Sequence, residues 1–455
     1  MRSSNTNSTK LPRWSEIPPE LLQLLLEKLP SYFVHTLRFK AVCPSWNHAA
    51  KSYVSGPSYT PLPQSPWLML PAQRRKKRLP SDPDVEEEGC FFSLAEEKVY
   101  RIKRNVFRGL RDDFYWSQCV GSSHGWLAIW NPKAGEIFKE IIYLANPICG
   151  ESRTLPPLHV PFISKVVLSC NPSRNHNFVV VVASHGGGVG RLAFYKHGGG
   201  NTAWTKLDFV REHKYCEIAF HNCHLFALCS DHSASHGGGV GRLAFYKHGG
   251  GNTAWTKLDF VREHKYCEIV FHNCHLFALC SDHSVHVWDF GETYNHPKKT
   301  MELQPLMAQM VYGDGDGIRH RLVESMGEIL LVEHGPLLYP SWDEISVPFY
   351  VYKLNFDAKR WEKVDSLGDR AIFLVENLSA MSLSTHKLPE LEENSIYFTA
   401  EVSDSVRDER SCDFFEFHLG VYNLETKVVK SLYKSGLPGN RNDNSEPVWI
   451  VPNPQ

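Results

Sequence analysis

A segment of 51 residues is repeated almost without change in the middle of this 455-residue chain. Residues 183–233 recur as residues 234–284, and the copies differ at one position, Ala219 in the first and Val270 in the second. Ancient structural repeats keep their pattern but lose identity, so this near-identity indicates a recent tandem duplication or an error in assembling the gene model. Because 51 residues match the length of a four-stranded propeller blade, the copy either inserts as an additional blade or is extruded.

Short β-strands are predicted from about Phe91 to the C-terminus. They are rich in β-branched and aromatic residues and are separated by Gly, Pro, Asn and Asp. The predicted strands outside the repeat are 98–102, 126–130, 165–169, 178–183, 285–290, 328–332, 349–354, 395–399 and 448–451. Those inside its first copy are 191–196, 204–209, 216–220 and 224–229. Many short strands with frequent turns and no strong helical period indicate a sandwich, a barrel or a propeller.

The N-terminal part has a different pattern. Residues 1–10 are rich in Ser, Thr and Asn and are predicted to be disordered. Leucines then recur at helical spacing after Pro18 and Pro19, and Pro30 ends that helix. A second helix follows, and a third is predicted to begin at Pro44. Residues 11–52 therefore form a small all-α domain.

Residues 53–90 are predicted to be a linker and the start of the β-domain, because proline is frequent and charge comes in runs. The basic run consists of Arg74, Arg75, Lys76, Lys77 and Arg78. Such a run is either a nuclear localisation signal or a solvated loop.

Composition excludes several classes of protein. The net charge of −1 generates no global field toward nucleic acid or an anionic membrane, so neither is an expected partner. No uncharged apolar run reaches the roughly 18 residues of a membrane span, and the N-terminus has no hydrophobic signal core. The twelve cysteines are therefore expected to be mostly free thiols in a reducing compartment. We expect the protein in the nucleus, the cytoplasm or both.

Three local motifs invite chemical interpretations that their context does not favour. The glycine-rich stretch 185–190 leads into a strand, whereas phosphate binding needs a helix, so a hairpin turn is predicted. The spacing of the Cys and His residues in 216–232 matches no usual zinc site. Trp288-Asp289 is the dipeptide that ends some propeller blades, but alone it is a weak signal. We predict no catalytic residue, no metal and no cofactor.

The helical segment resembles an F-box. The match combines Ile17-Pro18, the Leu29-Pro30 break and a Val42-Cys43 ending followed by Trp46, in that order. A domain of about 40 residues buries too little surface to be stable alone, and a partner completes its packing. The resemblance implies that this partner is Skp1, which links an F-box protein to cullin and a RING subunit. Pro44 departs from the family pattern, which commonly has a basic residue there.

The resemblance also implies which residues contact Skp1 or pack beside the interface. They are Ile17, Pro18, Leu21, Leu22, Leu25, Leu29, Pro30, Val42, Cys43 and Trp46.

The remainder resembles the plant F-box-associated family, once a domain of unknown function and described as a β-propeller. The resemblance rests on four groups of residues, which are 121–127 with 144–147 and 155–157, 322–325 with 327–332, 349–354 with Trp361 and 367–374, and 394–398. Residues 91–455 number 365, or 314 without one copy of the repeat. At roughly 45–50 residues per blade we expect about six or seven blades, with one of them duplicated if the copy inserts.

The expected architecture is therefore mainly β, an F-box at 11–52 followed by a propeller at 91–455. The implied function is that of a non-catalytic substrate adaptor in an SCF-type ubiquitin ligase, with an unknown target protein on the propeller. Two alternatives stay open from sequence. One is a propeller enzyme or ligand binder that does not act through a ligase, and the other is a degenerate product whose duplication spoils the propeller.

Overall fold

The computed structural model divides the chain into two compact units, Met1–Gln64 with Pro452–Gln455, and Ser65–Val451. It describes residues 14–29, 33–54, 56, 64–70, 89–102, 118–130, 140–147, 150–160, 162–186, 189–198, 203–207, 213–221, 224–231, 241–247, 256–258, 266–280, 284–291, 297–303, 318–335, 338–339, 349–374, 380–386, 388–403, 414–434, 439–440 and 447–451. The predicted tail 1–10 and the basic run 74–78 lie outside these residues.

The first unit is helical. A 3₁₀ turn at Trp14–Glu16 precedes α1 (Pro19–Lys28), α2 (Phe33–Val42) and α3 (Pro44–Val54). Pro18 has φ −57° and ψ 144° and stands just before α1, where the missing N–H of the following Pro19 costs nothing. Leu29 turns to extended geometry and ends α1. The three helices that the proline positions predicted are confirmed.

The second unit consists of seven β-sheets, which we number as blades 1 to 7. Blade 1 contains β1 (Trp67–Met69), β2 (Gly89–Ser93), β3 (Lys98–Ile102) and β31 (Val448–Ile450). Blade 2 contains β4 (Gln118–Ser123), β5 (Trp126–Trp130), β6 (Ile142–Asn146) and β7 (Glu151–Thr154). Blade 3 contains β8 (Phe162–Leu168), β9 (Val179–Gly186), β10 (Val189–Lys196) and β11 (Thr205–Leu207).

The next three blades follow in chain order. Blade 4 contains β12 (His213–His221), β13 (His224–Asp231), β14 (Gly241–Lys247) and β15 (Thr256–Lys257). Blade 5 contains β16 (Tyr266–His272), β17 (His275–Cys280), β18 (Val285–Asp289) and β19 (Lys298–Leu303). Blade 6 contains β20 (Arg319–Ser325), β21 (Glu328–His334), β23 (Tyr350–Asn355) and β24 (Arg360–Val364).

Blade 7 is the most elaborate sheet. It contains β25 (Arg370–Leu374), β26 (Met381–Ser384), β27 (Ser395–Ser403), β28 (Phe414–Asn423) and β29 (Val429–Lys434). Two short strands extend it, β22 (Leu338–Tyr339) beside β27 and β30 (Gly439–Asn440) beside β28.

The blades form a ring that the two ends of the β-chain close. One edge strand of each sheet is innermost, and β4 contacts β8, β8 contacts β12, β12 contacts β16 and β16 contacts β20. The last strand, β31, pairs antiparallel with the first, and Leu68 lies opposite Trp449. Blade 1 therefore combines both ends of the β-chain. The prediction of a propeller with six or seven blades is confirmed, and the number is seven.

The duplication adds one complete blade, so neither copy is extruded. Blade 4 takes β12 and β13 from the first copy and β14 and β15 from the second. The sheet is a hybrid because the repeat starts near the end of β9 and not at a boundary between blades. The glycine-rich stretch in the first copy connects β9 and β10 as an antiparallel hairpin with Gly186 opposite Val189, as predicted.

Within the described residues, no helix is both long and apolar enough to cross a membrane.

Candidate partner-binding site

The helical unit has a small core built around Trp46. Leu22, Leu26, Phe39, Trp46 and Ala50 are all buried in it. The Trp46 ring lies 4.3 Å from that of Phe39, and its indole N–H donates a hydrogen bond of 2.8 Å to the backbone carbonyl of Trp14. This bond ties the 3₁₀ turn to α3, so the N-terminal turn is held against the three helices.

A second apolar face of α1 points away from this core. Leu21 and Leu24 are each 52% exposed, Leu25 is 43% exposed and Leu29 is 38% exposed. Spacings of three and four residues place Leu21, Leu24 and Leu25 on one side of the helix, whereas Leu22 and Leu26 lie about a third of a turn further round and point into the core. A helix that is apolar on two sides needs a second surface to pack against. Grouped, exposed leucines are typical of a protein–protein contact.

The structure divides the predicted Skp1-contact residues into three groups. Pro18, Leu21, Leu25, Leu29 and Val42 are exposed. Leu22 and Trp46 lie in the interior, where they support the exposed face from beneath, and Ile17 and Cys43 are partly buried against that interior. Pro30 lies outside the described residues. The role of these residues in binding Skp1 stays a prediction.

Two exposed apolar residues were not among the Skp1-contact residues predicted from the sequence. Leu24 is among the most exposed leucines of α1, and Trp14 is 70% exposed although its carbonyl binds Trp46. Leu24 was detectable, because it stands three residues after Leu21 on the same helical face. Trp14 had no such signal, since the 3₁₀ turn that positions it has no repeating pattern.

An open groove lies beside the N-terminus of α3. It is lined by Lys40, Ala41, Cys43, Pro44, Asn47, His48 and Lys51. The Ser45 hydroxyl lies 3.0 Å from the Cys43 sulfur. Hydrogen bonds from Ser45 and from the backbone N–H of Trp46 hold the pKa of the Cys43 thiol below its usual value. This lowered pKa favours the thiolate form of Cys43.

Two other motifs noted in the sequence, Trp288-Asp289 and the Cys- and His-rich stretch, lie in the propeller. The Trp288 side chain is buried at the end of β18, and the Asp289 carboxylate accepts a hydrogen bond of 2.8 Å from the backbone N–H of Gly291. Cys280, the second-copy counterpart of Cys229, is a buried core residue. The described part of the chain contains no group of three or more His, Cys, Asp or Glu side chains suited to a metal ion.

Comparison with known families matches the β-domain. The model described as "KIB1-4 beta-propeller" matches residues 91–236 and 232–423. The chain belongs to this family. The two matched stretches overlap at residues 232–236, which include the Ser233–Ala234 junction between the copies.

Relatives from Arabidopsis thaliana extend the similarity to both units. The chain is 24% identical to At4g17565 over 459 residues, which covers 99% of this chain and 98% of the relative. It is 22% identical to F-box protein KIB4 over 410 residues, covering 90% and 88%. It is 24% identical to F-box protein SKIP23 over 453 residues, covering 91% and 92%. The interpretation of the chain as a plant F-box protein with a propeller domain is confirmed, and these are the parts of an F-box substrate adaptor.

Proposed function

We propose that this protein is the substrate-recognition subunit of an SCF-type ubiquitin ligase. In this role the F-box docks onto a Skp1-like protein, which connects it to cullin and the RING subunit, and the propeller holds a target protein. The observation that carries the proposal is the outward face of α1, where Leu21, Leu24, Leu25 and Leu29 are exposed beside a complete helical core.

Burial of that face supplies the binding energy in this proposal. Removing apolar surface from water contributes about 25 cal/mol per Å², so four leucines become a substantial anchor when a partner covers them. The core beneath them is already closed around Trp46, so the helices present a preformed surface. A preformed surface binds with a smaller loss of conformational entropy than a segment that folds on binding.

The protein itself performs no chemical step in this proposal. It accelerates ubiquitin transfer by holding a target near the charged enzyme, which raises the effective concentration of the two reactants. Such an adaptor acts where its ligase and its target meet, and we propose the nucleus, the cytoplasm or both.

Co-purification with a plant Skp1-like protein tests the docking. The variant carries Leu21→Asp and Leu25→Asp, which place two charges in the proposed contact, where burying an unpaired charge is costly. We expect at least a tenfold loss of affinity. The matched control carries Gln23→Asp and Glu27→Asp, because both residues lie on another side of the same helix and bond to each other.

Circular dichroism of each variant shows whether the helices still form. If the Leu21→Asp, Leu25→Asp protein is folded and still binds like the control, the proposed docking face is wrong. Loss of binding in both variants would instead place the contact on a wider surface of α1 and contradict the leucine assignment.

A further inference from the structure

The repeated unit is a complete interface between two blades. In the first copy, Leu192 and Leu207 of blade 3 pack with Ile218, Leu225 and Ala227 of blade 4. The counterparts in the second copy are Leu243 and Leu258 of blade 4, which pack with Ile269, Leu276 and Ala278 of blade 5. The second interface therefore repeats the first, residue by residue. Each copy contributes both sides of one interface, which explains how an inserted blade finds matched neighbours.

The repeat reproduces the interface between two blades, but it does not reproduce the side-chain packing within a single blade. We define an interface row as the three side chains that lie next to each other on the first three strands of a blade and face the following blade. The row of blade 3 is Val167, Val181 and Phe194. The row of blade 4 is Ala219, Phe226 and Phe245. The row of blade 5 is Val270, Phe277 and Val287.

Blade 4 is the one blade of these three whose interface row contains two phenylalanines. Phe226 comes from the first copy and Phe245 from the second. Their rings are stacked with centroids 6.1 Å apart. The counterpart of Phe226 is Phe277, which lies beside Val287, and the counterpart of Phe245 is Phe194, which lies beside Val181. The hybrid sheet has thus brought together two large side chains that blades 3 and 5 keep in separate rows.

The single difference between the copies lies in this row. Ala219 is directly opposite Phe226, and Val270 is directly opposite Phe277. Ala219 packs on the interface between blades 4 and 5, whereas Val270 packs on the interface between blades 5 and 6. The smaller side chain is therefore in the row that holds the additional ring.

We propose that Ala219 is a packing adjustment that lets the duplicated blade fit into the ring. Phe226 is fully buried and its ring also contacts those of Phe271 and Phe290, at 5.1 Å and 5.2 Å. Such a closely packed aromatic cluster tolerates added methyl groups poorly. On this account the inserted blade 4 is an integrated part of the propeller, and the duplication has been accommodated at the protein level. The proposal concerns the β-domain and does not depend on binding to Skp1.

A double-mutant cycle in the full-length protein tests the adjustment. Ala219→Val overfills the row, and we expect the midpoint of thermal unfolding to fall by about 2–4 °C. Phe245→Val gives the row the composition of blade 5 once Ala219→Val is added. In the Phe245→Val background we expect Ala219→Val to raise the midpoint, because it fills the space that the ring has left.

The change of sign between the two backgrounds is the signature of direct coupling. The proposal is overturned if Ala219→Val leaves the wild-type midpoint unchanged or raises it, or if it lowers the midpoint equally in both backgrounds. Val270→Ala in blade 5 is the matched control. We expect it to lower the midpoint, since that row has no second ring to occupy the space, and an unchanged midpoint there also counts against the proposal.

Discussion

Glu268 on the innermost strand of blade 5 accepts a hydrogen bond of 2.8 Å from the backbone N–H of Leu322 on the innermost strand of blade 6. The carboxylate is buried, and its other oxygen lies 4.0 Å from the guanidinium of Arg321. A charged acceptor on a buried N–H makes a strong hydrogen bond. This contact joins neighbouring blades where the strands lie nearest to the axis of the ring.

Removal of the Glu268 carboxylate is expected to destabilise the propeller. Glu268→Ala leaves the Leu322 N–H without its acceptor and is expected to cost about 1–3 kcal/mol. Glu268→Gln keeps an oxygen at the same position and is expected to cost less. Urea unfolding monitored by tryptophan fluorescence measures both values. Equal losses for the two variants would contradict the role assigned to the hydrogen bond.

Gly121 is required where blades 2 and 3 approach each other. A methyl group on it would lie 2.1 Å from the backbone carbonyl oxygen of Val166, so the innermost strands would have to separate. Gly327, at the turn between β20 and β21, has φ +88° but open space around it. We therefore expect Gly121→Ala to lower the free energy of unfolding by more than the roughly 1–2 kcal/mol expected for backbone strain in Gly327→Ala. The same urea titration compares them, and the reverse order would refute the close approach.

His334 is expected to make the propeller less stable in mild acid. Its ring is buried, and its Nδ1–H donates a hydrogen bond of 2.6 Å to the carbonyl of Gly335. Burial, helped by the positive charges of Arg321 and Arg319, lowers the pKa of His334 from 6.5 to about 4. Between these values the unfolded chain binds a proton that the folded protein does not, so stability falls as the pH falls from about 6.5 to about 4.

The measurement for His334 is the free energy of unfolding at pH 7 and pH 5. We expect His334 to account for a loss of about 2 kcal/mol between these values. His334→Gln retains an N–H donor but has no proton to gain, so its stability should depend less on pH by that amount. Parallel pH profiles of the wild type and His334→Gln would show that another group is responsible.

A substitution at Leu24 is expected to affect partner binding much more than folding. Because its side chain is half exposed, Leu24→Asp is expected to destabilise the helical unit by only about 1 kcal/mol. We expect the same substitution to lower affinity for a Skp1-like protein at least tenfold. Trp46→Ala removes the centre of the core and is expected to cost about 3–5 kcal/mol. Titration binding and circular dichroism distinguish the two, and unchanged affinity of the Leu24→Asp protein would remove Leu24 from the contact.

Local sequence patterns predicted the secondary structure well where a single rule applies. Pro18, Pro19 and Pro44 mark helix starts because proline suits a first turn, and α1 and α3 begin as they indicate. The strands predicted at 98–102 and 126–130 coincide with β3 and β5, since β-branched and aromatic residues between turn residues are local features. The two short strands β22 and β30 had no comparable signal, because they exist only by pairing with β27 and β28.

For the candidate docking face, local sequence patterns did not predict which leucines of α1 are exposed. Leucine spacing predicted that α1 is apolar, but Leu21 and Leu22 are neighbours in sequence and have opposite environments. Which leucines turn inward depends on where α2 and α3 pack, and Trp46 and Phe39 establish this from distant positions in the chain. The inward set therefore follows from the tertiary contacts.

The same division applies to the duplication. The chain alone contains the length of the repeat, its near-identity and its match to one blade, and the length of the β-region gave the prediction of six or seven blades. That the additional blade is a hybrid, and that Ala219 lies beside two phenylalanines while Val270 lies beside one, depends on strand pairing across the copies. Strand pairing joins residues that are far apart in sequence, and two nearly identical copies have nearly identical local sequence signals. Only the closed ring therefore determines which strands of the two copies pair with each other.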